Sequence, residues 1–164
     1  MFQNINNLPK FKSLEKSKDL IKQLKHFQPD VCGMCEVGLN PARLSIQDQW
    51  RSRMRDIPGT KSTYTYNTTE PFEKPLLTGG IGMVTTKEAT CRVLSTSDDP
   101  TGLGRWTSML IQGKREYKLR IITAYNPCDN QGGDTVYEQH RRYFLNRDDR
   151  RVPSSCSKST LLKQ

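Results

Sequence analysis

QLKHFQPDVCGMCEVGLN, residues 23–40, is the stretch whose reading decides the fold. An amphipathic segment ends at Pro29-Asp30, a short apolar run follows, and the run closes on one carboxylate, Glu36. Proline disfavours helical backbone in the residue before it, so a helix stops here. A short apolar run bounded by turn residues is the pattern of a buried strand. A carboxylate at the end of such a strand is costly unless a positive charge or hydrogen-bond donors meet it. In open sheets, ligands gather beyond the carboxyl ends of strands. Helix, turn, buried strand and acid therefore mark a fold and a candidate site together.

On the N-terminal side, residues 2–8 alternate apolar and polar and predict a short first strand running into a loop. Residues 12–27 place Leu14, Leu20, Ile21, Leu24 and Phe27 near helical spacing with lysines between them, an amphipathic helix with a basic outer face. On the C-terminal side, residues 38–60 carry a partial apolar stripe of Leu44, Ile46, Trp50 and Met54. That stripe predicts a helix with Pro41 in its first turn, stopped by Pro58-Gly59. STYTYNTT at 62–69 is a strand by its β-branched and aromatic content. A Pro-rich loop spans 70–78, and GGIGMVTT at 79–86 is a glycine-led strand with 91–96 as its expected partner. After a turn cluster at 98–104 come strands at 106–111 and 117–125. The second has the strongest strand signal, with Leu119, Ile121, Ile122 and Ala124 as apolar positions. Residues 134–145 predict a helix. The order strand, helix, strand, helix, run of strands gives a layered α/β or α+β domain. It occupies residues 1–146, its folded part stopping near residue 125 or 145. A basic, Ser-rich tail at 147–164 is expected to be disordered.

A chain of 164 residues suits one domain with a core, although only 34% of it is hydrophobic. The mean hydropathy is −0.75. Twenty-six Lys and Arg against 17 Asp and Glu give a net charge of +9, which favours a polyanionic partner such as nucleic acid. No apolar run is long enough for a membrane span, and the N-terminus carries no apolar secretory stretch. Five cysteines at uneven spacing fit reduced thiols inside a cell, nuclear or cytoplasmic. Cys32 and Cys35 form a CxxC with no second pair at zinc spacing, and they read as buried thiols. Gly79, Gly80 and Gly82 lack phosphate-loop spacing and point to a bulge or close packing. Arg105-Trp106 reads as a core Trp beside a surface Arg, with stacking on nucleic acid as the alternative. Arg141 and Arg142 beside Tyr143 and Phe144 read as a solvated amphipathic helix. Neither His26 nor His140 is assigned a catalytic role.

Taken in order, Asn4-x-Asn6-x-Leu8, a helix, PDVCGMCE, GGIGMV, GRWTSMLI and LRIITAYNP form a series over residues 2–127. This series resembles the endonuclease/exonuclease/phosphatase superfamily, most of all the endonuclease domain of LINE-type retroelements. The resemblance implies an α+β fold, a partial, truncated four-layer αββα sandwich. It implies Mg²⁺- or Mn²⁺-dependent hydrolysis of a DNA phosphodiester by the complete domain. Glu36 stands at the family's metal-binding glutamate, and Asn6 at a second metal-side position that is often polar or acidic. Asn4 stands at the strand-one asparagine beside the metal, and Tyr125 at a position near the scissile phosphate. The family's later Asp-x-Asn and Asp-His motifs, which hold the transition state and the general base, do not follow Tyr125. Asp129-Asn130 comes too soon after that strand, and His140 has no adjacent Asp. The expectation is an N-terminal fragment, inactive in isolation, with DNA as partner and the C-terminal half of the domain missing. The alternative is a basic nucleic-acid-binding module without catalysis.

Each site residue also has a simpler reading. Mg²⁺ needs hard oxygen ligands, and hydrolysis also needs a base. Glu36 alone supplies one ligand and could instead cap a turn or pair with a lysine. Asn4 and Asn6 suit turn chemistry. Tyr125 suits a half-buried strand aromatic.

Overall fold

The computed structural model describes residues 1–6, 8, 15–69, 73, 77, 79–126 and 135–146. Leu14, most of the 70–78 loop, Asp129-Asn130 and the 147–164 tail lie outside the described residues. In chain order the elements are β1 (Phe2–Asn4), α1 (Glu15–Phe27), β2 (Val31–Cys35), a 3-10 turn (Ile46–Asp48), α2 (Trp50–Met54) and β3 (Lys61–Thr65). There follow β4 (Ile81–Thr85), α3 (Lys87–Cys91), β5 (Val93–Asp98), β6 (Trp106–Gln112), β7 (Lys118–Ala124) and α4 (Val136–Leu145). The chain divides into two units, Met1–Tyr125 and Asn126–Gln164. In the second unit the Thr135 hydroxyl caps α4 by accepting the Glu138 amide at 3.3 Å.

The first unit holds two sheets. One has the order β1-β2-β4-β3, with β1 parallel to β2 and the other pairs antiparallel. The other is the antiparallel β5-β6-β7. Side chains alternate across a strand, and β2 shows the consequence. Cys32 and Met34 pack with Leu20 and Leu24 of α1 and Trp50 and Met54 of α2. On the other side Val31 joins Met83 of β4 against Val93, Met109, Ile111 and Ile121 of the second sheet. Each such buried side chain contributes about 1.5–3 kcal/mol. Helices, sheet and sheet are three layers of an αββα sandwich.

Close approach is achieved with glycine. The Thr123 hydroxyl fills the space that a side chain at Gly33 would need, so β7 crosses directly over β2. A Cβ at Gly82 would stand 2.6 Å from the Trp50 ring. Trp50 stacks on Tyr64 at 5.9 Å, and Tyr64 on Tyr66 at 5.8 Å. The glycine-led strand is thus built for close packing, as its composition suggested. Between the sheets the Asp98 carboxylate accepts from the Thr63 (3.1 Å) and Thr107 (2.6 Å) hydroxyls, which ties β3 to β5 and β6.

The structure corrects several expectations. The helix expected over 38–60 is a series of turns and the five-residue α2. Asn40 accepts the Ala42 amide and Asp48 the Ser45 hydroxyl, local bonds that compete with a helix, and Ile46 is 77% exposed. Residues 91–96 do not pair with β4, because β2 and β3 occupy both of its edges. Residues 87–91 instead form α3, and β5 pairs with β6 in the second sheet. β3 stops at Thr65, where Asn67 takes up a turn by accepting the Thr69 amide and hydroxyl. The Arg105-Trp106 reading is reversed: Arg105 is buried and Trp106 only half-buried. The strands at 106–111 and 117–125 stand as β6 and β7. β7 is an edge strand, so Leu119 and Ile122 of that apolar run are exposed.

Candidate functional site

β2 ends at Cys35, and the backbone then breaks its alternation. Glu36 has a φ of 54°, the left-handed region that side chains rarely adopt. With a strict period of two, Val37 would face away from Met34, yet both lie in the core under the helices. The left-handed residue accounts for this half-period slip. It sends the half-buried Glu36 side chain to the second sheet, where the Tyr125 hydroxyl donates to its Oε1 at 2.5 Å. Glu36 makes no second hydrogen bond among the described residues, which leaves Oε2 available to a cation.

Both partners are fixed from behind. The Val37 and Gly38 amides donate to Gly80 O (3.1 Å) and Gly79 O (2.7 Å). The Tyr64 hydroxyl donates to Leu39 O at 2.5 Å and accepts the Leu39 amide at 3.0 Å. On the other wall the Tyr125 amide donates to Arg105 O (3.0 Å), and the Arg105 amide donates to Asp99 Oδ2 (2.9 Å). Asp99 Oδ1 also accepts the Thr101 amide and hydroxyl. Two loops thus brace the Tyr125–Glu36 pair.

Asn4 is in register with Cys35 across the β1–β2 pair, and the Ile5 amide donates to Cys35 O at 3.0 Å. Asn4 therefore lies beside the strand end that carries Glu36. Its Oδ1 accepts the Asn6 amide at 2.9 Å, and Asn6 has a φ of 47°. These two asparagines make a turn, the chemistry their residue type favours. Lys16 donates to Asn6 O at 2.7 Å.

The neighbouring thiols are not reactive groups. Cys35 Sγ points to Ala124 O, while Cys32 lies in the core beneath the helices. On opposite faces of one strand the pair cannot meet in a disulfide. Burial, and then the charge of Glu36, pushes the Cys35 thiol up to about 12, and burial also raises Cys32.

Mg²⁺ binds through one or two carboxylates and keeps several waters. Glu36, with one oxygen held by a phenol and the other open, fits that role. No group of three or more His, Cys, Asp or Glu converges among the described residues, so the fit is to a water-rich hard cation and not to a closed zinc cage. Sequence reasoning missed the Tyr64 clamp and the bracing role of Asp99 and Arg105. The aromatic alternation at Tyr64 and Tyr66 and the paired glycines at 79–80 were visible, but their meeting with the 36–40 turn depends on the β3–β4 pairing.

No protein-family model matches the chain, and no curated protein matches it. Solved structures do. An endonuclease/exonuclease/phosphatase family protein from Leptotrichia buccalis superposes with a TM-score of 0.54 at 15% identity, over 92% of this chain and 61% of that one. An AP endonuclease from Leishmania major superposes with a TM-score of 0.57 at 13% identity, over 95% of this chain and 50% of that one. At these identities the likeness is one of fold. The chain is built on the α+β fold of the endonuclease/exonuclease/phosphatase proteins, and spans 61% and 50% of the lengths of these two structures.

Proposed function

We propose that this chain forms one wall of the cleft of a divalent-metal-dependent phosphodiesterase, as the N-terminal portion of a retroelement-type DNA endonuclease domain. The observation that carries the reading is the 2.5 Å hydrogen bond from Tyr125 to Glu36. It joins a metal-competent carboxylate to a phenol whose single proton can turn from Glu36 to a phosphate oxygen. In this reading Glu36 holds Mg²⁺ or Mn²⁺, with Asn6 on the same side. Asn4 and Tyr125 orient the phosphate. The metal supplies charge neutralisation at the phosphoryl oxygens and a more acidic bound water. The general base and the remaining transition-state donors come from a C-terminal half of the domain, because no Asp-x-Asn or Asp-His motif follows Tyr125. The AP endonuclease among the structural neighbours and the +9 charge support a nucleic-acid substrate. An intracellular setting, nuclear or cytoplasmic, accompanies the reduced thiols.

Two measurements test this. Mn²⁺ titration of the chain, followed by water-proton relaxation, should show one weak site that Glu36→Gln removes; titrations that coincide would refute the metal assignment. Incubation of supercoiled plasmid with the chain and Mg²⁺ should leave the plasmid unnicked. Robust nicking that is lost in Glu36→Ala would refute the division of the site between two halves.

The second reading, a basic module without catalysis, is favoured by the charge alone. It predicts salt-sensitive DNA binding that Glu36→Gln leaves unchanged in the presence of Mg²⁺.

A further inference from the structure

The first sheet has a second end. In the register of its strands, Cys35, Ile81 and Thr65 form the row nearest Glu36, while Val31, Thr85 and Lys61 form the row farthest from it. The two rows are about 13 Å apart along strands of this length. At the far end the turn Ile57-Pro58-Gly59 stands as a ridge between two grooves, one of about 540 Å³ and one of about 290 Å³. A Cβ added at Gly59 would meet nothing within 4 Å, so the crest of the ridge is bare.

The charges on the ridge are of one sign. Arg51 of α2, Arg55 at its C-cap and Lys61 of β3 line the larger groove, and Lys25 of α1 and Lys87 of α3 line the smaller. All five are exposed. They come from four separate elements, and among the described residues no carboxylate lines either groove. Asp56 and Glu88 stand nearby in sequence and line neither. Arg51 lies in α2 and Arg55, four residues on, is its C-cap with helical backbone angles, the spacing at which like charges repel; neither has an ion-pair partner among the described residues. Lys61 gives one hydrogen bond at 3.5 Å to Val93 O and keeps its other donors. The hydroxyls of Ser62 and Thr96 add neutral donors to the larger groove.

We propose that this ridge and its two grooves form a binding surface for the phosphate backbone of nucleic acid, separate from the Glu36 site and at the opposite end of the sheet. A polyanion relieves the repulsion between Arg51 and Arg55. Their Cβ atoms are about 5–6 Å apart, a separation that lets each guanidinium engage a successive phosphate of one strand. Arginine forks suit phosphate, and contacts made to the phosphate backbone alone carry no sequence information. The surface does not need the Glu36 reading to hold. It would anchor a strand away from the cleft whether or not the cleft is catalytic.

The test is fluorescence anisotropy of a labelled DNA duplex against the full chain, in EDTA, over a series of salt concentrations. Three proteins are compared: the unaltered chain, Arg51→Gln/Arg55→Gln/Lys61→Gln, and Lys18→Gln/Lys22→Gln/Arg115→Gln. The last removes the same charge from exposed positions elsewhere. The groove variant should bind at least tenfold more weakly at low salt. Its slope of log affinity against log salt should be shallower by about 2–3, at about 0.9 for each phosphate no longer neutralised. The charge-matched variant should keep most of both. Equal losses in the two variants would overturn the proposal, since net charge alone would then explain binding. Unchanged binding in the groove variant would also overturn it. So would groove-dependent binding to phosphatidylserine vesicles without binding to the duplex. If the triple variant fails to melt cooperatively, Arg51→Gln/Arg55→Gln takes its place, with an expected slope change of about 2. The groove variant should bind Mn²⁺ as the unaltered chain does, so failure of the metal assignment is read in the Mn²⁺ titration and failure of the groove in this one.

Discussion

Replacing Tyr64 with Phe should cost far more than the loss of one oxygen atom suggests. The Tyr64 hydroxyl donates to Leu39 O at 2.5 Å and accepts the Leu39 amide at 3.0 Å, and Leu39 is fully buried. Phe keeps the stacks on Trp50 and Tyr66, so packing is nearly unchanged. What remains is a buried N–H and a buried C=O without partners, each costing about 1–3 kcal/mol. Allowing for partial relaxation, the sum is about 2–4 kcal/mol, a large part of the 5–15 kcal/mol that typically separates folded from unfolded. Urea unfolding measures it. With a slope near 2 kcal/mol/M, the midpoint should fall by about 1–2 M. Tyr66→Phe is the matched control, because the Tyr66 hydroxyl makes no hydrogen bond among the described residues. It should change stability by under about 0.5 kcal/mol, the range for changes away from buried networks. If Tyr64→Phe shifts the midpoint no more than Tyr66→Phe does, the clamp on the turn that follows Glu36 does not exist as described.

Three further outcomes can be checked. Burial raises the Tyr64 phenol above its ordinary value of 10.0, so its contribution is complete below pH 10 and is lost as pH climbs further; the alkaline decline in melting temperature should be less steep in Tyr64→Phe. Gly82→Ala should destabilise by about 1–3 kcal/mol, because the new methyl meets a buried Trp50 ring that Tyr64 holds in place; an unchanged melt would show that the ring can move. Native alkylation at pH 8 should modify the exposed Cys91 and spare Cys32 and Cys35; mass spectrometry locates the adducts, and prompt labelling of Cys35 would contradict its burial.

The elements that were legible in the sequence are those whose signal is local. The amphipathic spacing of Leu20, Ile21 and Leu24 with the stop at Pro29 gave α1, and the apolar run ending at Glu36 gave β2. The glycines of β4 were read as close-packing positions, and Gly80 and Gly82 now have named neighbours in Tyr64 and Trp50. Strand partnership was less legible, because which edge is free depends on what has already paired. β5 was assigned to β4 for want of knowing that β3 returns to that edge. The stripe from Leu44 to Met54 looked helical because Leu44, Trp50 and Met54 are indeed buried, but three buried positions on a turn and on a helix give the same letters. At the site, the resemblance singled out Glu36 and Tyr125, 89 positions apart, and they are hydrogen-bonded. The bracing of that pair by Asp99, Arg105 and Tyr64 depends on backbone groups, and backbone groups carry no sequence signal.

Glu36 occupies a conformation that Gly or Asn would adopt at lower cost, by about 1–2 kcal/mol for a left-handed residue with a side chain. If Glu36 serves the proposed metal site, selection for endurance and selection for binding pull this position in opposite directions. A library randomised at 36 and enriched only by survival of heating should drift toward Gly and Asn. The same library enriched for Mn²⁺ binding, the role proposed for this carboxylate, should hold an acid at 36, so the two enrichments would part at a single position.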